Sequence, residues 1–94
     1  MKKSIVKAYG LTAQLDILQE ECGELIRAAS HHKRAMGKGY AIKQTRRETK
    51  ETLIREIAHV MNAMDSVIYL LPAPIERIRD EIRKSDEMSE RNLK

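Results

Sequence analysis

The chain has one cysteine, Cys22, no tryptophan, no phenylalanine and only three tyrosines. A lone cysteine excludes an internal disulfide and fits a reducing compartment. Without large aromatics, the interior falls to Leu, Ile, Val, Met and Ala. No apolar run approaches the roughly 20 residues of a membrane-spanning helix, and the basic Lys2 and Lys3 are not followed by the apolar stretch of a signal peptide. Together these absences predict a cytoplasmic protein without membrane contact.

What is present is charge. Asp, Glu, Lys and Arg make up 34% of the chain, which suits exposed amphipathic helices better than a β-sandwich. Ninety-four residues predict one domain, residues 1–94, with a limited core that packing across a subunit interface would supplement.

Three helices are legible. The first is expected over about residues 12–33, with Thr12 as N-cap after Gly10 and residues 1–11 frayed. Leu15, Leu18, Cys22, Leu25 and Ala29 recur at spacings of three and four, a helical stripe. Gly37 and Gly39 end it. The second is expected over 48–71, capped by Thr45 or Thr49, with Leu53, Ile57, Val60, Met61, Met64, Val67, Ile68 and Leu71 as a broad apolar arc. Pro72 stops it, and Pro74 suits the first turn of a third helix. That helix presents Ile75, Ile78 and Ile82 before a polar tail, 89–94, expected to fray. The fold predicted is an all-α antiparallel bundle of about three helices, completed by oligomerisation.

The net charge of +4 is unevenly spread. Residues 31–47 carry Lys33, Arg34, Lys38, Lys43, Arg46 and Arg47 with no acid, whereas residues 1–30 balance. Such a block either meets phosphate or is a solvated connector; charge alone leaves both open. Aromatics are scarce and no helix shows a dense Arg/Lys face, so nucleic acid is not an expected partner.

The acids are less ordinary. At about 100° per residue, Glu20, Glu24 and Glu21 fall within about 100° of one another on the first helix, with Glu20 opposite the main Leu stripe. Their i+4 partners are Glu24, Leu25 and Ala28, not Lys or Arg, so their repulsion is uncompensated along the helix unless a cation sits among them. Arg27, three residues after Glu24, is the one nearby base. On the second helix, Glu56 falls inside the apolar arc, about 20° from Val67 and about 40° from Val60. A carboxylate there is costly unless paired, protonated or bound to metal, and a salt bridge to Lys or Arg stays open beside the metal reading. His59, one turn on, can share a site with Glu56. Asp65 points elsewhere, and His31 and His32 are expected at the surface. Acid pairs on two helices beside a basic segment suit a hard divalent ion holding phosphate oxygens.

These residues resemble a family. Glu20-Glu21-Cys22-Gly23-Glu24 is similar to the EExxE element of the MazG-like all-α nucleoside triphosphate pyrophosphohydrolases, and Glu56-Ile57-Ala58-His59 to their ExxD element. The resemblance covers about residues 14–71. It implies cleavage of a nucleotide between the α and β phosphates, giving a nucleoside monophosphate and pyrophosphate. It also implies Glu21, Glu24 and Glu56 as Mg²⁺ ligands, Glu20 as a further ligand or water-orienting group, and a homodimer or homotetramer whose neighbouring subunits complete the pocket. Lys33, Arg34, Lys38, Arg46 and Arg47 are candidate phosphate contacts, and Tyr40 either stacks on a base or is a plain loop tyrosine.

The chain departs from the pattern where His59 replaces the final Asp. The change removes a charge and a favoured Mg²⁺ ligand. Three outcomes follow: a shift towards Mn²⁺ with His59 as ligand, a weak three-carboxylate site, or a module that binds nucleotide or a protein partner without turnover.

Overall fold

The computed structural model describes residues 2–72 and 75–93. The chain is all-α: helix α1 (Lys3–Ala35), helix α2 (Arg46–Leu70) and helix α3 (Ile75–Leu93), with no strand among the described residues. Pro74 lies outside them, as does Lys94 at the end of the tail. No helix is long and apolar enough to cross a membrane.

Helix α1 starts earlier than the sequence pattern predicts. It begins at Lys3, so Thr12 is not its cap, and the segment expected to fray is helical on both sides of a break at Gly10. Gly10 has φ 83° and ψ 175°, a region essentially closed to residues with a Cβ. Gly10 therefore separates two helical stretches by a kink: the one expected after it, and one before it where fraying was expected. A Cβ at Gly10 would meet nothing within 4 Å, so the backbone alone sets the penalty. Gly10→Ala is expected to lower unfolding free energy by about 1–3 kcal/mol, measured by urea denaturation; an unchanged midpoint would show that the kink is dispensable.

The turn after α1 has a defined chemistry. Gly37, at φ 89°, follows the C-cap Met36. The Gly37 N–H donates to the Arg34 carbonyl and the Lys38 N–H to the Lys33 carbonyl, both at 2.9 Å, which is the Schellman pattern that closes a helix through a left-handed glycine. Helix α2 opens with a capping box: the Glu48 N–H donates to Thr45 Oγ1 at 3.1 Å, and the Thr45 N–H donates to Glu48 Oε1 at 3.0 Å. That reciprocal pair selects Thr45 over Thr49 as cap and holds the Glu48 carboxyl below its usual range, chiefly through the Thr45 backbone bond. At the far end, Leu71 adopts the extended conformation that Pro72 imposes on its predecessor.

Helices α1 and α2 form an antiparallel pair. The His32 ring nitrogen Nδ1 lies 2.9 Å from Thr49 Oγ1 near the turn. Thr49 is buried, and its hydroxyl lies within hydrogen-bond distance of the Thr45 and Arg46 carbonyls as well. His32 is thus a half-buried tie between the helices rather than the surface residue expected.

Helix α1 turns the arc bearing its acids towards α2, burying Gln14 and Ala28, while Leu15 in the Leu stripe is 39% exposed and Ile26 is 71% exposed. From α2 come Val60, Ala63, Ser66 and Val67. Helix α3 has no comparable packing on the pair. Ile75 and Ile78 are half-buried and Ile82 is exposed, and its polar surface carries a ladder in which Arg83 pairs with Asp80 and Glu87 and Lys84 with Glu81.

Candidate functional site

The antiparallel register sets the EExxE segment of α1 beside the middle of α2. Glu21 and Glu24 are three residues apart on α1, and Glu56 and His59 three apart on α2, so each pair projects from one face. One ligand atom from each of Glu21, Glu24, Glu56 and His59 lies within 4.8 Å of the others. Glu20 is exposed and lies outside this group.

The four groups sit at a boundary between core and solvent. The side chains of Glu56 and Glu21 are 13% and 23% exposed, that of His59 49%. Glu56 is therefore inside the apolar face, as its place on the helical wheel indicates. The Lys or Arg salt bridge left open by the sequence is not formed among the described residues. His59 Nδ1 is the nearest basic nitrogen, 3.4 Å from Glu21 Oε2 and 3.6 Å from Glu56 Oε2. Neither contact has hydrogen-bond geometry: both oxygens are buried and without a hydrogen-bond partner. Two orphaned carboxylate oxygens facing one another's neighbourhood are costly as they stand. Three carboxylates and an imidazole are the donor set of a hard to borderline divalent ion, and such an ion would satisfy both orphans. The residues fit Mg²⁺ or Mn²⁺.

The repulsion has a titration signature. The Glu24 carboxyl is held above its ordinary value of 4.5, first by the charge of Glu21, then by a hydrogen bond and charge from Glu56, with smaller contributions from burial and Glu20. A raised carboxyl binds its proton more tightly in the folded chain. The stability it contributes is present below pH 4.5 and is lost as pH rises through the folded-state value. A divalent ion competes with that proton, so Mn²⁺ affinity should climb over the same window, upward from pH 4.5. Calorimetry in two buffers of different ionisation enthalpy should show proton release on binding; ion binding with no proton exchange anywhere in the window would contradict the shared site.

The basic block sits apart from the acids. Arg46 and Arg47 line a hollow with His32, Met36 and Lys50, and Lys33, Arg34 and Lys38 line another with Ser30 and Tyr40. Lys33 follows Glu24 by roughly 13 Å along α1, and Arg46 precedes Glu56 by roughly 15 Å along α2. Lys33 is also about 180° round from Glu24, and Arg47 about 180° round from Glu56. Tyr40 is exposed beneath the Arg34 guanidinium, 6.0 Å from ring centre to charge.

A cavity of about 200 Å³ adjoins the carboxylates on the side away from the turn. Glu21 and His59 form one end, and Gln14, Asn62 and Ser66 line the rest. Sequence reasoning missed these three. The signal was available for Gln14, which precedes Glu21 by two helical turns and lies about 20° from it, a polar residue on the face that turns inward. Comparison with protein-family models, with curated proteins and with solved structures finds no match to this chain.

Proposed function

We propose that this chain is a MazG-like, metal-dependent nucleoside triphosphate pyrophosphohydrolase, cleaving the α–β phosphoanhydride of an NTP or dNTP to a nucleoside monophosphate and pyrophosphate. The observation that carries the reading is the convergence of Glu21, Glu24, Glu56 and His59 from two helices, with two buried carboxylate oxygens lacking partners. Glu21, Glu24 and Glu56 would hold Mg²⁺ or Mn²⁺, and His59 would add a nitrogen ligand. The bound ion would polarise the phosphoanhydride and lower the pKa of an attacking water. Glu20, exposed beside Glu21, is free to orient that water. The half-buried setting of Glu21 and Glu56 strengthens their electrostatics relative to bulk water.

Oligomerisation belongs to the same proposal. Leu15, Ile54, Ile57, Met61 and Met64 are exposed on the helical pair, a larger apolar display than one small chain needs. Lys33, Arg34, Lys38, Arg46 and Arg47 stand too far round and along their helices to meet the same phosphates within one chain. A neighbouring copy in a homodimer or homotetramer can supply them. A cytoplasmic location fits the nucleotide substrate.

One observation favours a second reading, a module that binds nucleotide or a protein partner without turnover. His59 Nδ1 stands within ion-pair distance of both Glu21 and Glu56, so a protonated imidazole can offset their charge where an ion otherwise would. The readings separate when folded protein is incubated with each NTP and dNTP and either metal. Pyrophosphate release supports the hydrolase; nucleotide binding without any release, under all conditions, replaces it with the binding module.

A further inference from the structure

Charge is matched on α3 and unmatched at the turn between α1 and α2. On α3, Arg83 and Lys84 stand 2.9–3.3 Å from Asp80, Glu87 and Glu81. At the turn, the bond from the Lys38 N–H to the Lys33 carbonyl folds those two residues together. The His32–Thr49 contact fastens them to the start of α2. Arg46, Arg47 and Lys50 line one hollow of about 470 Å³, and Lys33, Arg34 and Lys38 line another of about 350 Å³. Glu51 is the one acid lining either hollow, and Glu48 is committed to its capping box. Among the described residues, no ion pair reaches any of these six cations. Gathered at one end they repel one another, and a bound polyanion relieves that repulsion. The acidic cluster cannot. It lies roughly 13–15 Å away along the helices, beyond the roughly 8 Å over which charge is felt at physiological salt. The N-terminus of α2 adds partial positive charge to the same end.

We infer that this end of the helical pair binds single-stranded nucleic acid, with the phosphodiester backbone on the six cations and one nucleobase stacked on Tyr40. The inference goes beyond the hydrolase reading and stands without it. The sequence argued against nucleic acid because no single helix carries a dense basic face. The turn builds that face from two helix ends instead. Six cations in two hollows outnumber the phosphates of a nucleoside triphosphate, so charge favours a strand over a nucleotide. Tyr40 decides between strand and duplex. It is 82% exposed, with the Arg34 guanidinium 6.0 Å from its ring centre, an aromatic and cationic platform for an unpaired nucleobase. A duplex keeps its nucleobases stacked inside and gives that ring nothing to hold.

The test is fluorescence anisotropy of labelled oligothymidylate and oligouridylate of about 12 nucleotides, in EDTA, from about 50 to 200 mM NaCl. The oligomers carry 5′-hydroxyl ends, so neither metal nor a triphosphate contributes. The full chain should bind, with a slope of log affinity against log salt of about −3, which corresponds to about four phosphates. Arg46→Glu/Arg47→Glu should lose about ten- to a hundredfold at the lowest salt and flatten the slope by about 1.4. Acids in the first turn of a helix suit its dipole, so this variant stays folded. Tyr40→Leu should lose about five- to a hundredfold with the slope unchanged. Lys7→Glu/Arg91→Glu removes the same charge from exposed positions away from the turn and should lose less than about threefold. No binding at the lowest salt overturns the inference. Equal loss in the charge-matched control does so too, because it marks attraction to net charge alone. Tyr40→Leu without effect, or a duplex of the same length bound more tightly than the strand, would put a plain phosphate or duplex site in its place. Pyrophosphate release is assayed separately, so loss of the hydrolase reading leaves the strand site untouched, and the reverse.

Discussion

Glu56→Gln should abolish pyrophosphate release and weaken Mn²⁺ binding by at least about a hundredfold, since even groups behind the ligands cost 10–100-fold when removed. The substitution keeps the side chain's size and removes only its charge and one ligand oxygen. Its second consequence separates a binding role from a structural one. In the protein without metal, Glu56 is 13% exposed and its Oε2 has no hydrogen-bond partner, with Glu21 and Glu24 close by. Neutralising it relieves repulsion, so the metal-free variant should be more stable than the wild type by about 0.5–2 kcal/mol, the range common where function opposes stability. For a chain of this length each kcal/mol shifts the melting temperature by about 4–8 °C. Thermal melts with and without Mn²⁺ read both effects at once. A structural ion pair with His59 predicts the opposite sign: the variant would melt lower, and added ion would not distinguish it from wild type. That pattern would remove the metal centre and the hydrolase with it.

The helices were legible because their apolar spacing, the Thr45–Glu48 box and Gly37 are local signals, each readable from a few neighbouring residues. The start of α1 was not. Its first residues are preceded by Lys2, which makes no side-chain cap; the break read at Gly10 is real, but the stretch before it is helical as well. Helix α1 packs on α2 through Gln14, Ala28 and the Glu21 side, with Leu18, Cys22 and Leu25 half-buried, so the acids of the two helices face one another as their places on the wheel predict. Glu56 was read correctly because a single carboxylate within an otherwise apolar arc breaks the pattern visibly. The basic block shows the limit of charge counting: its excess was plain, but its distance from the acids depends on where the turn between helices closes, which composition does not encode.

His59→Asp tests the one departure from the motif. The exchange replaces a neutral or cationic ring that is 49% exposed with a hard oxygen donor, the ligand type Mg²⁺ prefers. Four carboxylates would then project from the two helices towards one point. Without metal, their mutual repulsion should lower the melting temperature below that of the wild type. With metal, the extra charge should raise Mg²⁺ affinity by about tenfold or more, a gain of roughly 1.4 kcal/mol, and shift the preference from Mn²⁺ towards Mg²⁺. If the wild type turns over slowly, the same change should raise its Mg²⁺-dependent rate by a comparable factor. The thermal signature is a lower melt without ion and a larger ion-induced rise, both from one substitution. Mg²⁺ affinity that stays flat in His59→Asp would mean that the ring and the carboxylates do not address the same ion. In that case the contacts at 3.4 and 3.6 Å are charge neutralisation within the protein, and His59 stands in for a cation rather than sharing one.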